Sequence, residues 1–357
     1  MLHAMDQRGK LWQEVRALRA SPPALAAADK ERSAVFVASL RQAQELAEAA
    51  AASGYATRPL PLFYSFSQGL RAVSAALVDD SAWIIRGHGA SVVPAWPVLQ
   101  TSVVPRPSNR ADSRDTLSAI HAVADGESMT APMRLGAVWA ACPESPSLSH
   151  DVEDAPGPLR LHLPPAMRRE DHISAGRIEL GAEGLSVDLS DQELQARLTS
   201  YPSLSGAKPA REVIPEGDTP AYRTDLPQVV FAHTSRLGLK GLFPWLDSSP
   251  VLAWETHGND RDSYQARFET LGPVEIEGVD DVRLAFPSLG GVDKPEFVAL
   301  WWVLLLALSS LVRYEPAHWA RAIDPDSSKL AVPLEQTCDF TETFVPSILL
   351  HMISSAS

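Results

Sequence analysis

The chain has 357 residues, with 31 Lys and Arg against 44 Asp and Glu for a formal charge of −13, and it is 45% hydrophobic and 21% charged. That composition excludes global disorder and a fibrous repeat, and the acidity opposes non-specific attraction to DNA phosphates or anionic lipid. At roughly 100–200 residues per domain, the length allows two or three domains, or one large one with insertions.

Arg supplies 25 of the 31 basic residues, a bias that GC-rich coding produces without any demand for guanidinium chemistry. Cys142 and Cys338 match no metal spacing or redox pair, so a reducing compartment is expected. The N-terminal MLHAMDQRGKLWQEV has no uninterrupted apolar segment and does not read as a secretory signal. The expected location is the cytoplasm, with neither a membrane association nor a cofactor.

Along the chain, three textures follow one another: a helical region over 1–142, a Pro- and Gly-rich middle over 143–292, and a second helical region over 293–357. From Ala34 to Ser53, the residues Phe36, Leu40, Ala43, Ala47 and Ala50 recur at helical spacing, giving a shallow apolar face suited to close packing. After a turn over Gly54–Pro59, the segment Pro61–Val78 reads as its partner. Its stripe is Leu62, Phe66, Leu70, Val73 and Leu77, and Gly69 marks a close crossing. Next comes WIIRGHGAS, a short extended run ending in glycines.

In the middle region, Pro143–Pro165 reads as loop. Apolar alternation around Gly181–Gly184 and around Gly278–Asp281 predicts two short hairpins, and Ser190 with Glu193 has capping-box spacing for a helix carrying Leu194 and Leu198 inward. The last region opens on Phe297–Val312, apolar on nearly all sides. Its sixteen residues fall short of a comfortable membrane span and read as a buried central helix. Shorter helices are expected over Pro316–Ile323, Pro333–Phe344 and Pro346–Ile353. The fold class is therefore mainly α: N- and C-terminal helices share one core, with a small β-containing middle insertion, α+β overall.

Two anchors carry a family resemblance. The segment Pro59–Ser91, with FYSFSQGLRA followed by RGHGAS, and the later KPEFVALWWVLLLALSSLVRYEPAHW together resemble the YaaC-like protein family, which implies a role in binding more than a particular chemistry. The FYxxxxxxRA-like helix also resembles the HEPN superfamily of helical proteins in toxin and antiviral systems. Ribonuclease members of that superfamily use an Arg, four to six residues, then a His. Arg313–His318 and Arg114–His121 fit that spacing. That likeness implies a metal-independent endoribonuclease assembled as a dimer, with His318 as general acid–base and Arg313 on the scissile phosphate.

A third reading, a small-ligand sensor for a nucleotide, rests on the residues themselves. His88 sits between glycines beside Arg86, an arrangement able to approach and hold a phosphate or carboxylate, and Arg71 is a charge within an otherwise apolar helix that can turn toward the same place. His257–Asp260 with Asp262, His150 with its acidic neighbours, His162 and His172 all read as loop features. No Walker loop, dinucleotide fingerprint, nucleophile elbow or HExxH motif occurs, so the leading expectation is an accessory binding protein. Its expected partners are a protein or a second copy of itself, together with a nucleotide or RNA.

Overall fold

The computed structural model describes residues 2–108, 110–124, 127–142, 157, 159–162, 177–183, 190–204, 208–210, 228–230, 251–255, 272–273, 282–285, 287–293 and 295–354. The chain divides into two compact units, one of Met1–Ala155 with Leu289–Ser357 and the other of Pro156–Ser288. It is mainly α, with its strands concentrated in the middle of the sequence.

The first unit begins with helices α1 (Leu2–Ala20), α2 (Ala24–Ala28), α3 (Lys30–Ala51) and α4 (Pro59–Leu77). Asp29 caps α3 by accepting a hydrogen bond from the Arg32 amide at 2.8 Å, a cap that contributes about 1 kcal/mol. Proline at the start of α4 fits the first turn, where its missing N–H has no helical partner. The expected α3–α4 hairpin forms. Phe36, Leu40, Ala43 and Ala50 are completely buried, and the small alanines let α4 come close enough for Ser65 Oγ to donate to the Ala43 carbonyl at 2.7 Å.

The apolar run of the last region forms α8 (Phe297–Tyr314), capped by the Glu296 carboxylate on the Ala299 amide at 2.8 Å. The described α-helix before it in the chain, α7 (Asp191–Thr199), belongs to the other unit. At 18 residues, α8 is long and apolar enough to cross a membrane, yet 78% of it is buried within the protein. It is a core helix packed on α4. Trp302 Nε1 donates to Ser67 Oγ at 3.1 Å, and the Trp302 ring lies 5.8 Å from Phe63. A short helix, α9 (Pro316–Ala322), follows.

The final helix corrects an expectation. Instead of two helices broken at Pro346, one helix, α10 (Ala331–Ser354), runs straight through that proline. Losing one backbone hydrogen bond and accommodating the ring costs about 3 kcal/mol. Burial of Phe344, Val345, Leu349 and Ile353 on either side outweighs it, at about 1.5–3 kcal/mol per large apolar side chain. Phe344 packs edge-on to Phe66 at 5.9 Å and beside Trp301 at 4.9 Å, tying α10 to both α4 and α8.

Between α4 and α8, the unit also holds α5 (Thr116–Val123), α6 (Leu135–Ala141) and a small antiparallel sheet. Its strands lie in the order β1 (Ala90–Val93), β2 (Ser102–Pro105), β3 (Met133–Arg134), with Val92 opposite Val103 and Val103 opposite Met133.

In the second unit, the described strands are β4 (Leu159–His162), β5 (Arg177–Glu183), β6 (Lys208–Ala210), β7 (Gln228–Val230), β8 (Val251–Glu255), β9 (Gly272–Pro273) and β10 (Val282–Ala285). They form one sheet in the order β6-β7-β8-β5-β4-β10-β9, parallel only between β6 and β7. Three expectations change here. Leu159–His162 is strand and not loop, because Arg160–His162 pair with Gly181–Glu183 of β5. For the same reason Gly181–Glu183 are not a turn: the strand carries on through them to pair with β4. Around the second expected hairpin, β10 pairs antiparallel with β9 at Gly272–Pro273, earlier in the chain than the alternation suggested. Residues 184–189 and 274–281 lie outside the described residues. The helix α7 (Asp191–Thr199) has the expected reciprocal Ser190–Glu193 capping box, and Leu194 and Leu198 are fully buried.

Candidate functional site

The RGHGA loop is built by its backbone. The Arg86 amide donates to the Arg114 carbonyl at 2.7 Å, and the Arg114 amide donates to Ile84 at 3.0 Å. The Thr116 and Leu117 amides then donate to the carbonyls of Gly87 and His88, both at 3.2 Å. Those amides open α5, and the first turn of a helix has no internal acceptors for its N–H groups, so the loop satisfies them. Asp115 completes the anchor. It is 2% exposed and accepts from the Ser118 amide at 2.8 Å and the Ser108 amide at 2.7 Å. Gly87 and Gly89 both have positive φ, which glycine adopts without strain.

This anchoring presents the His88 ring to the α4–α8 packing. The imidazole lies 5.2 Å from the Phe63 ring and 6.1 Å from the Trp302 ring. Burial, and then the charges of Arg313 and Arg71, hold its pKa below the usual 6.5, so the ring is neutral at pH 7. Arg71, on α4, donates to the Ile85 carbonyl at 2.7 Å. Burial lowers its pKa, but a guanidinium keeps its proton at any physiological pH. Arg313, at the C-terminal end of α8, donates to Tyr64 Oη at 3.2 Å and lies over the Tyr314 ring at 4.8 Å. Among the described residues, neither Arg71 nor Arg313 faces a carboxylate.

The structure thus brings together Arg71 and His88 from one sequence-level grouping and Arg313 from another, and adds Tyr64. Arg86 and His318 have other partners. Arg86 is exposed and lies 3.7 Å from Asp112. The His318 Nδ1 is 3.0 Å from Glu315 Oε2, and its ring stacks on Trp96 at 5.1 Å with 22° between the planes. Arg114 and His121 have separate partners: Arg114 forms a two-pronged ion pair with Asp80 at 2.6 and 2.9 Å, while His121 is buried beside Met129. His150, His172 and His257–Asp262 lie outside the described residues, as does the His162 side chain. Among the described residues, no three His, Cys, Asp or Glu side chains group to hold a metal ion.

Chemically, Tyr64, Arg71, His88 and Arg313 are a set of donors without a protein anion. Two fixed positive charges, a phenol and an imidazole able to take up a proton match an oxyanion such as phosphate or carboxylate. Sequence reading missed Tyr64 and Trp96. Tyr64 lies inside the FYSFSQGLRA motif but off the Leu62–Phe66–Leu70 stripe, which is the signal that would have separated it, and it is half-buried. Trp96 stands between two prolines in the PAWP turn that follows β1, an unusual place for a tryptophan.

The family model for YaaC-like Protein matches residues 8–94 and 248–353, more than half of the chain. Tyr64, Arg71, His88 and Arg313 all fall inside those segments, and Trp96 lies just beyond the first. No curated protein and no solved structure matches the chain.

Proposed function

This chain belongs to the YaaC-like protein family, and within it we propose a binding role for the protein: recognition of a ligand that presents an oxyanion to Tyr64, Arg71, His88 and Arg313. One observation carries the reading. In a chain with a net charge of −13, Arg71 and Arg313 both bear electrostatically on the half-buried His88 and, among the described residues, no carboxylate neutralises them. A structural arginine in so acidic a protein finds an acidic partner readily, as Arg58 does with Asp339 at 2.7 Å and Arg114 with Asp80. Nucleotides and RNA both carry the required group.

The separate partners of Arg313 and His318 favour binding over phosphodiester cleavage, because a nuclease pair must converge on one phosphate. The test is calorimetric titration with inorganic pyrophosphate at low salt. The expected outcome is binding that weakens at least tenfold in Arg71→Gln or Arg313→Gln, each removing a charge-assisted contact worth about 1.5–3 kcal/mol. Unchanged affinity in both variants would remove the cluster from any ligand site.

A further inference from the structure

Among the described residues few large apolar side chains are exposed, and two of them are Tyr314, the chain neighbour of Arg313, and Trp96, which lies against His318. Trp96 is 49% exposed and Tyr314 65% exposed. Tyr314 follows Arg313 directly and carries its guanidinium on one face at 4.8 Å. Four residues further on, His318 stacks on one face of Trp96. The Trp96 turn is held in place: the Ala95 amide donates to Thr101 Oγ1 at 3.2 Å, Thr101 is fully buried, and its carbonyl accepts from the Leu135 amide at 2.7 Å.

The geometry points to a base-stacking subsite at Trp96, joined to the Arg313 end of the oxyanion cluster through His318 and the α8–α9 junction, which makes the ligand a mononucleotide; this rests on the oxyanion reading above. Three features converge on that ligand. The Trp96 ring already has a planar partner on one face, so a base on the exposed side extends an existing stack instead of ordering a mobile ring. Arg313, Tyr314, Glu315 and His318 connect the cations to that stack through one helix junction, α8 to α9. Glu315 is the acidic side chain at this junction, and His318 occupies it. The net charge of −13 opposes a long polyanion but leaves a single phosphate at a local cationic cluster favourable.

The experiment compares adenosine 5′-monophosphate with ribose 5-phosphate, which has the same charged group and no base, on the full chain. Stacking on an aromatic side chain predicts about tenfold tighter binding of the mononucleotide. Trp96→Ala should abolish that advantage while leaving the ribose 5-phosphate affinity unchanged, and Trp96→Phe, which keeps a ring, should restore part of it. Equal affinity of the two compounds for the native chain, or an advantage that survives Trp96→Ala, overturns the stacking subsite and leaves the oxyanion reading standing. Failure of both compounds to bind at millimolar concentration defeats the oxyanion reading and this inference with it.

Discussion

Gly89 lies so close to Asp115 that a methyl group in place of its hydrogen would sit 1.8 Å from Asp115 Oδ1. This contact locks the His88 loop onto the start of α5, since the same carboxylate caps that helix. Gly87, two residues earlier, shares the positive φ but has nothing within 4 Å of such a methyl group.

The two glycines should therefore respond differently to alanine. Gly87→Ala should cost only the left-handed backbone penalty, about 1–2 kcal/mol. Gly89→Ala adds a collision with a buried, hydrogen-bonded carboxylate and should cost about 3 kcal/mol or more. Urea unfolding of both variants beside the native chain measures the difference, and equal losses would show that the Asp115 contact is easily relieved.

Gly69 makes the corresponding close approach in the helical core. A Cβ there would meet Leu349 Cδ1 at 2.4 Å, which places the crossing of α4 and α10 at this glycine. Gly69→Ala gains about 1 kcal/mol in helix propensity but loses roughly 1–3 kcal/mol to overpacking, so a net destabilisation of about 1 kcal/mol is expected. Leu349→Ala alone should cost about 3 kcal/mol by opening a cavity. Combined, the two should cost clearly less than their sum, because the new methyl occupies space that the leucine leaves. A double-mutant cycle reads the coupling, and strict additivity would contradict the packing described.

His121 supplies a pH dependence of stability. It is 4% exposed, its Nδ1 has no hydrogen-bond partner, and burial lowers its pKa below 6.5 against a smaller opposing pull from Asp115. The unfolded chain binds a proton here below about pH 6.5 and the folded chain does not. This group therefore favours folding above that pH and progressively disfavours it as pH falls, by about 1.4 kcal/mol per pH unit until the folded pKa is reached. His121→Phe should show a shallower fall in unfolding free energy between pH 7 and pH 5 than the native chain. An identical slope would mean that His121 binds its proton equally well in the folded and unfolded chain.

His88 predicts the pH dependence of binding. The free imidazole titrates below 6.5 because of burial, Arg313 and Arg71. A bound oxyanion offsets those two positive charges and raises the pKa again, so binding takes up a proton and affinity rises as pH falls below neutrality. Sulfate is a suitable probe because it does not itself titrate in this range. Its affinity should increase severalfold from pH 7.5 to pH 5.5 in the native chain and change little in His88→Gln; a flat native profile would place the anion away from His88.

Much of the helical architecture was legible because its signals are local. The apolar stripes of α3, α4 and α8 and the Ser190–Glu193 capping box each act within a few residues of themselves, although α4 starts at Pro59, two residues before the expected Pro61. Gly69 was legible as a crossing point because a glycine inside an apolar helix has few other uses. Pro346 misled for the complementary reason. Its local effect is to break a helix, and only the buried aromatic cluster around Phe344 reverses that preference. The strand through Gly181 was hidden in the same way, since its partners at Leu159–His162 and Val251–Glu255 are supplied from elsewhere in the chain.

Residue types and spacings on their own determined that Arg71, His88, Arg313 and His318 deserved separate consideration, each inside or beside a helix that the sequence could place. Only the tertiary structure decided how they sort: Arg313 reaches Tyr64, 249 positions away, and acts on His88, while His318 turns to Trp96. Periodicity fixes which face of a helix is buried, but contacts between distant helices depend on crossing positions. Those follow from side-chain shape, here the α3 alanines, Gly69 and the Ser67–Trp302 hydrogen bond, and no single segment contains them.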